Sequence, residues 1–311
     1  MNINRQEFLM PEIPSKPDPE KRLWILALIL VIAIILIGVL TWLHYRNVRH
    51  SPNGNPDTAA QAIPDNSLKG KPDRVAGNYK GMYCYAGEPK ITTYPHPILV
   101  LTNVGYIAGY DETRKDPAWV CYRLNKVASL IAPPRPKTFS TDLRTKAKVK
   151  TGDYTGTGYD RGHMAPNYAI AVCYREQAQL ETFLMSNIIP QKPNLNRKVW
   201  EHLEEREMKT YAQDFKSVWV ITGPVFDKQP ARFPSGIAIP VKCFKIFVRE
   251  ENGQPKVLAF EMSQDVTGNE QLQKFLTSVR DVEANTGLDF LNELPNDVEN
   301  KIEMEKAVGI W

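Results

Sequence analysis

The sequence has little cysteine, little net charge and no internal repeat. Its 311 residues include four cysteines, none in a Cys-x-x-Cys pair, which excludes a disulfide-built scaffold and argues against a structural zinc site. Lysine and arginine number 39 against 35 aspartate and glutamate residues, so net charge alone does not indicate a nucleic-acid partner. The sequence has 42% hydrophobic and 24% charged residues, a composition that excludes a disordered, collagenous or coiled-coil chain.

One long apolar run departs from this average composition. Residues 23–43 carry no charged side chain, and a helix of about 20 residues crosses a bilayer. A cleaved signal peptide has an apolar core of about 7–15 residues, and a buried helix of a soluble domain would usually keep a polar face. The sequence therefore predicts a single N-terminal transmembrane helix at 23–43, in contact with the lipid bilayer.

The charges that flank this run predict its orientation. Basic residues before it outnumber those after it by four to two: Arg5, Lys16, Lys21 and Arg22 against Arg46 and Arg49. The positive-inside rule then keeps 1–22 in the cytoplasm and exports the rest from the cell (inner) membrane, to the periplasm or beyond. In an oxidising compartment the cysteines either form one or two disulfides or remain buried thiols.

The remainder is predicted to form a linker, a folded domain and a tail. Residues 44–77 are rich in Pro, Asn and Gly, as expected of a linker, and 78–294 form the domain, followed by a tail at 295–311. Strand patterns occur at 97–103, 119–126, 217–222, 237–249 and 256–262, and helical patterns at 177–185, 196–215 and 270–282. Without regular βαβ alternation, these elements predict an α+β domain on a mostly antiparallel central sheet flanked by helices. The end of the tail, 296–311, is either a short helix or disordered.

The first stretch with chemical potential is Asp160-Arg161-Gly162-His163. An imidazole with an ordinary pKa of about 6.5 is a natural general base near neutral pH. Asp160 would then position water and Arg161 a phosphate. The alternative is a buried, hydrogen-bonded histidine beside an ordinary surface ion pair.

The second stretch runs from Ser186 to Glu204. Asn196 and Glu204 are eight residues apart on a predicted helix, so both side chains can face one cavity. Amide and carboxylate oxygens suit Mg²⁺, which keeps several of its waters. The alternative is that Asn196 caps the helix and Glu204 is a solvated surface residue.

Together these motifs resemble the DNA/RNA non-specific endonuclease family, whose active site is a ββα-metal fold. The family's Asp-Arg-Gly-His signature matches 160–163, and its Ser-Asn-x-x-Pro-Gln…Asn…Trp-x-x-Leu-Glu block matches 186–204. Further similarity lies at 119–124, 221–226, 239–245 and 286–290. Several motifs in the right order are much more specific than any one of them. The resemblance covers roughly 78–294.

The resemblance implies a role for each matched residue of the reaction centre. His163 would be the general base that deprotonates the attacking water. Asn196 would be the sole direct protein ligand of Mg²⁺, for which Mn²⁺ can substitute. Glu204 would contact the ion through water, and Asp160 would support the surrounding water shell.

The resemblance also implies phosphate contacts and a supporting residue. Arg123 would hold the scissile phosphate, with Arg161 as a neighbour, and Asn187 would be supportive. Some relatives carry a second arginine one helical turn after the glutamate, where this chain has Met208. Other basic residues either line a substrate groove or lie on solvated faces: Lys146, Lys148, Lys150, Arg197 and Lys198.

The implied function is a Mg²⁺-dependent endonuclease that cleaves DNA and RNA without sequence or sugar specificity and leaves 5′-phosphate products. Two alternatives are a catalytically weak nucleic-acid-binding or uptake protein of the same fold, and a phosphodiesterase that acts on smaller substrates. Because His163 and Asn196 are both present, the enzyme is favoured over the binder. A homodimer and an inhibitor protein are the further partners that the resemblance suggests.

Overall fold

The computed structural model describes residues 81–311. The segments predicted at 1–22, 23–43 and 44–77 lie outside the described residues. Within 81–311, no helix is both long enough and apolar enough to span a membrane. All four cysteines fall in the described part as free thiols, of which Cys84, Cys121 and Cys243 are buried and Cys173 is half-buried.

Strands and helices are interspersed along the described chain. The strands are β1 Lys90–Ile91, β2 Leu99–Thr102, β3 Tyr106–Asp111, β4 Asp116–Asn125, β5 Asp160–His163, β6 Ile188–Gln191, β7 Ser217–Val225, β8 Lys242–Glu251, β9 Gln254–Ser263, β10 Leu276–Thr277 and β11 Leu288–Asp289. The helices are α1 Asn167–Thr182, α2 over 195–215, α3 Val279–Thr286 and α4 Asn296–Met304, with 3₁₀ turns at Thr151–Tyr154, Met185–Asn187 and Leu272–Phe275.

A seven-stranded antiparallel sheet forms the centre, in the order β10-β9-β8-β7-β4-β3-β2. Both of its faces are covered. Along β4, Val120, Tyr122 and Leu124 pack into one hydrophobic cluster, whereas Trp119 and Cys121 pack into another. This alternation is what a pleated strand buried on both sides requires. The predicted α+β class and antiparallel sheet are confirmed.

Helix α2 covers the first of these faces. It consists of π-helical Leu195–Trp200, α-helical Glu201–Arg206, π-helical Glu207–Tyr211 and α-helical Ala212–Phe215. Apolar residues at spacings of three and four, such as Val199 and Trp200 relative to Leu203, are buried against the sheet, which explains why this segment is helical. π-helical turns are rare and often occur at functional sites.

Three predicted elements differ from the structure. The helix predicted at 270–282 begins only at Val279, because Leu276 and Thr277 instead pair with β9. The helix predicted at 177–185 starts at Asn167 and is broken at Arg175, where φ is 73°. The strand predicted at 237–249 begins at Lys242.

The C-terminal tail contains helix α4, as one of its two alternatives predicted. Arg280 of α3 joins it to the domain, with nitrogens 3.2 Å from Glu283 Oε2 and 2.7 Å from Glu303 Oε2. The Glu303 side chain is 1% exposed, and its Oε1 has no hydrogen-bond partner in the described part of the chain. Burial and the neighbouring Glu283 raise the pKa of Glu303 from 4.5 to about 8.

This raised pKa predicts a pH-dependent stability. Since the pKa of Glu303 is higher in the folded state, the native protein binds more protons than the unfolded chain between about pH 4.5 and 8. Its contribution to the free energy of unfolding is therefore present at low pH and is lost as pH rises through this window. Urea denaturation of wild type and Glu303→Gln at pH 5, 6.5 and 8 should show that wild type loses stability relative to the variant with rising pH.

The exposed Glu305 provides a matched control for this measurement. Glu305→Gln is expected to follow the wild-type profile to within about 0.5 kcal/mol at each pH. A stability difference between wild type and Glu303→Gln that stays constant from pH 5 to 8 would contradict the assignment.

Candidate active site

Two short strands and helix α2 carry most of the predicted site residues. Strand β5 pairs antiparallel with β6, with Asp160 opposite Gln191 and His163 opposite Ile188, and α2 follows β6. A Cβ atom at Gly162 would lie 2.0 Å from Oε1 of the buried Gln191 side chain. The glycine of the Asp-Arg-Gly-His motif therefore leaves the space that the Gln191 side chain occupies against β5.

His163 lies in an aromatic pocket. Its ring centroid is 5.3 Å from that of Phe139 and 5.0 Å from that of Phe183, and the residue is 8% exposed. Burial, together with the nearby positive charge of Arg135, lowers the pKa of His163 to about 3. The imidazole is therefore neutral at physiological pH, the form that can accept a proton.

The structure also separates the two interpretations of His163. Its Nε2 atom is buried without a hydrogen-bond partner among residues 81–311. A histidine with a purely structural role would normally have its buried polar atoms satisfied. An unsatisfied imidazole nitrogen instead favours the interpretation of His163 as a functional base.

Asn187 supports the backbone next to this histidine. The fully buried side chain accepts a hydrogen bond from the N–H of Ala165 through Oδ1 at 2.8 Å. Its Nδ2 donates to the carbonyl oxygens of Ala165 and Thr182, both at 3.0 Å. Asn187 thus fixes the chain two residues beyond His163, and its supportive role stays a prediction.

Asp160 and Asn196 are in direct contact. Asn196 donates from Nδ2 to Asp160 Oδ2 at 3.1 Å, and Arg197 donates to both carboxylate oxygens, from Nε at 2.7 Å and from Nη2 at 2.5 Å. Burial raises the pKa of Asp160, but the hydrogen bonds from Arg197 and Asn196 outweigh it and leave the pKa below its ordinary value. Asp160 is therefore a carboxylate, and one basic residue of the predicted groove, Arg197, is tied to it.

Glu204 lies in the α-helical segment Glu201–Arg206 of α2, at the edge of a cavity. Trp200 donates from Nε1 to Glu204 Oε1 at 2.9 Å, and Lys245 Nζ lies 3.7 Å from the same oxygen. Burial raises the pKa of Glu204 to about 7, against the opposing effect of Lys245. With 23% of its side chain exposed, Glu204 is neither a fully solvated surface residue nor a core residue.

The cavity at Glu204 has a volume of about 280 Å³ and also contains His163. The structure thus brings together the predicted base and the predicted carboxylate from opposite ends of the ββα unit formed by β5, β6 and α2. The remaining lining residues are Arg135, Pro166, Asn167, Tyr168, Ala169, Glu201, Glu205 and Lys209.

Sequence analysis missed two basic residues of this cavity. Arg135 is exposed, and its guanidinium carbon lies 5.2 Å from the Phe183 ring centroid. Lys209 forms an ion pair with Glu205 at 2.8 Å. Met208, the position where some relatives have arginine, is fully buried, so the adjacent Lys209 supplies the positive charge at this side of the cavity. The change of helix type within α2 gave no signal in the residue spacing.

The structure does not bring Arg123 to the cavity, contrary to the role expected of it. Arg123 points to the opposite face of the sheet from Tyr122, because successive strand residues alternate. Its Nη2 donates to Ser217 Oγ at 2.9 Å, and its guanidinium carbon lies 4.4 Å from the Trp219 ring centroid. Arg135 occupies the place that was assigned to Arg123.

Arg161 is also directed away from the cavity. Its Nε donates to the carbonyl oxygen of Thr151 at 3.2 Å, and its guanidinium carbon lies 5.5 Å from the Tyr154 ring centroid. The 3₁₀ turn Thr151–Tyr154 therefore holds Arg161. Arg161 is not among the residues that line the cavity with His163.

The oxygen atoms of this site fit a hard divalent cation. Asn196 uses Nδ2 to bind Asp160, so Oδ1 has no protein donor within the described residues and is available as a ligand. Both protein contacts of Glu204 fall on Oε1, which leaves Oε2 available. Amide and carboxylate oxygens are the ligands preferred by Mg²⁺ and Mn²⁺. The expected ligand set is therefore compatible with the geometry.

Comparison with known proteins places the chain in a family. The model of the DNA/RNA non-specific endonuclease family matches residues 90–297. The Schizosaccharomyces pombe mitochondrial nuclease 1 is 28% identical over 62% of this chain and 66% of its own. The Saccharomyces cerevisiae mitochondrial nuclease is 32% identical over 65% and 68%, and the Serratia marcescens nuclease 29% over 65% and 79%. Just under two thirds of the S. pombe protein is thus covered.

A solved structure is similar as well. The crystal structure of the EndoG/EndoGI complex, which concerns the mechanism of EndoG inhibition, superimposes with a TM-score of 0.57 and 26% identity. The superposition covers 66% of this chain and 91% of that one. The similarity therefore extends over nearly the whole of the compared domain.

Proposed function

The chain belongs to the DNA/RNA non-specific endonuclease family, and on that premise we propose that it is a membrane-anchored endonuclease that requires Mg²⁺. It would hydrolyse phosphodiester bonds of DNA and RNA without sequence or sugar specificity and leave 5′-phosphate ends. The observation that carries this proposal is a neutral, unpartnered His163 in one cavity with Glu204 and Arg135. The expectation of an enzyme rather than a binding module is confirmed at the level of the family.

His163 acts as the general base in this proposal. Its neutral imidazole takes a proton from the water that attacks phosphorus, a contribution typically worth about 10²–10⁴ in rate. The aromatic pocket of Phe139 and Phe183 keeps the ring in place. After the bond is cleaved, the imidazole returns the proton to solvent and the departing 3′ oxygen takes a proton from solvent, so the neutral base is restored.

Arg135 and the cation site share the stabilisation of negative charge. The guanidinium of Arg135 binds the scissile phosphate and offsets the charge that develops on it. Asn196 would hold the cation, with Asp160 and Glu204 around it; when bound, the ion supplies charge neutralisation at the phosphate and at the departing 3′ oxygen. All of these contacts address the backbone, which DNA and RNA share, so weak base preference follows.

The base assignment predicts a large and specific loss of activity. The full-length chain should cleave supercoiled plasmid and RNA with Mg²⁺ and not with chelator, and His163→Ala should lower kcat by about 10²–10⁴. His202→Ala is the matched control, since His202 lies on the same helix α2 but does not line the cavity. A folded wild-type chain that retards DNA on a gel without cleaving it would support the nucleic-acid-binding alternative and contradict the enzyme.

Because Arg135 lines the cavity and Arg123 does not, their substitution is expected to have different effects on activity. Arg135→Ala should lower kcat/KM on duplex DNA by about 10²–10³, as for the loss of a charge-stabilising donor. Arg123→Ala should lower stability, through the lost Ser217 and Trp219 contacts, and change kcat/KM of the folded fraction far less. A greater loss of kcat/KM for Arg123→Ala than for Arg135→Ala would contradict the geometry.

We also propose that residues 23–43 anchor the enzyme and that the nuclease domain is exported. The uncharged run and its basic flank support this orientation. The full chain expressed in bacteria should resist carbonate extraction of membranes, and protease added to spheroplasts should degrade the nuclease domain. Extraction by carbonate would contradict the anchor, and protection from protease would contradict the orientation.

The proposal includes one protein partner besides nucleic acid. The similarity to EndoG, whose solved complex contains an inhibitor, supports an inhibitor protein for this chain too.

A homodimer stays a prediction. Light scattering of the purified full chain measures its mass in solution, and a monomeric mass would exclude the dimer.

A further inference from the structure

Lys245 is a buried positive charge between the sheet and helix α2. It lies in β8, and its side chain is 0% exposed. Lysine is almost never fully buried without a partner. Cys243 and Phe247, two residues to either side, belong to the hydrophobic cluster that packs against α2. By the alternation of the strand, Lys245 points toward the same helix.

The ammonium of Lys245 contacts two carboxylates with different environments. Its Nζ atom lies 3.0 Å from Glu207 Oε2 and 3.7 Å from Glu204 Oε1, and it donates to the Tyr122 hydroxyl at 3.1 Å. Glu207 is fully buried and so cannot reach the cavity, whereas Glu204 lines it. Lys245 therefore connects a purely internal carboxylate to one that borders the proposed reaction centre.

The contacts of Glu204 are unequal between its two oxygens. Trp200 and Lys245 both approach Oε1, and Oε2 has no protein partner in the part of the chain that the structure describes. The Lys245 ammonium also lies 4.8 Å from the Trp200 ring centroid, so the indole and the ammonium support each other. A long glutamate side chain loses considerable rotamer freedom when it is held in this way.

We propose that Lys245 is a positioning residue for the proposed nuclease reaction. Anchored by Glu207 and Tyr122, it holds Oε1 of Glu204 so that Oε2 is presented to the cation site. This inference rests on the proposed function. Groups that orient the surroundings of a metal typically change metal affinity or activity by about 10–100-fold when they are removed.

The test separates this role from a structural one by removing the buried pair together. Lys245→Met alone would leave Glu207 as an unpaired buried charge and destabilise the protein. The double variant Lys245→Met/Glu207→Gln avoids this charge and keeps a hydrogen-bonding group opposite Tyr122. Full-length wild type and the double variant are compared by Mn²⁺ affinity, measured by electron paramagnetic resonance, and by kcat on plasmid DNA. Glu207→Gln alone is the matched control, because it keeps the ammonium and leaves it Glu204 and Tyr122 as partners.

The double variant is expected to fold, to bind Mn²⁺ about 10–100-fold more weakly and to lose kcat by a similar factor. Glu207→Gln should lose much less affinity. Introducing the double substitution into a Glu204→Gln background should cause little further loss, since Lys245 acts through Glu204.

Wild-type Mn²⁺ affinity and kcat in a folded double variant would overturn the positioning role while leaving the nuclease intact. Fully additive losses with Glu204→Gln would overturn it too. A wild-type chain that neither binds Mn²⁺ nor cleaves DNA would overturn the proposed function and this inference with it.

Discussion

The ion pair between Lys245 and Glu207 joins helix α2 to the central sheet, and the site depends on that junction. Both side chains are fully buried, 3.0 Å apart, and Tyr122 of β4, which β7 separates from β8, completes the cluster. Breaking such a pair from one side typically costs about 3–5 kcal/mol. The pair therefore fixes the rotation and height of α2 on the sheet. Glu204 lies three residues earlier on the same helix, so its position is set by the same contacts.

The surroundings of His163 and Asp160 determine the charge of each side chain. His163 is neutral because burial between two phenylalanines and the charge of Arg135 disfavour its cation. Asp160 remains ionised because Arg197 and Asn196 donate to it. One pairing of short strands thus presents an uncharged imidazole at one end and a carboxylate at the other, beside the proposed cation site. This is the division of roles that hydrolysis of a phosphodiester requires.

The sequence predicts which residues lie together at the centre of this site better than it predicts their surroundings. The motifs at 160–163 and 186–204 contain the residues that meet at the cavity and at the contact between Asp160 and Asn196, because these residues lie at short spacing. Arg123 was assigned wrongly because a motif match does not show to which face of a strand a side chain points. Arg135 was missed because it lies in an irregular segment without periodicity. The partnership of Glu207 with Lys245 joins residues 38 positions apart, and no local pattern signals it.

The central claim is that the ββα unit holds one divalent cation at Asn196 beside a phosphate at His163. A crystal structure of full-length His163→Ala with a DNA oligonucleotide and Mn²⁺ tests this directly, because anomalous scattering locates the ion. We expect the ion about 2.0–2.3 Å from Asn196 Oδ1, with Glu204 and Asp160 reached through water and Arg135 on the phosphate. An ion bound instead by Glu283, Asp289 and Glu303, three carboxylates whose oxygens lie within 4.8 Å of one another, with Asn196 free, would contradict the account.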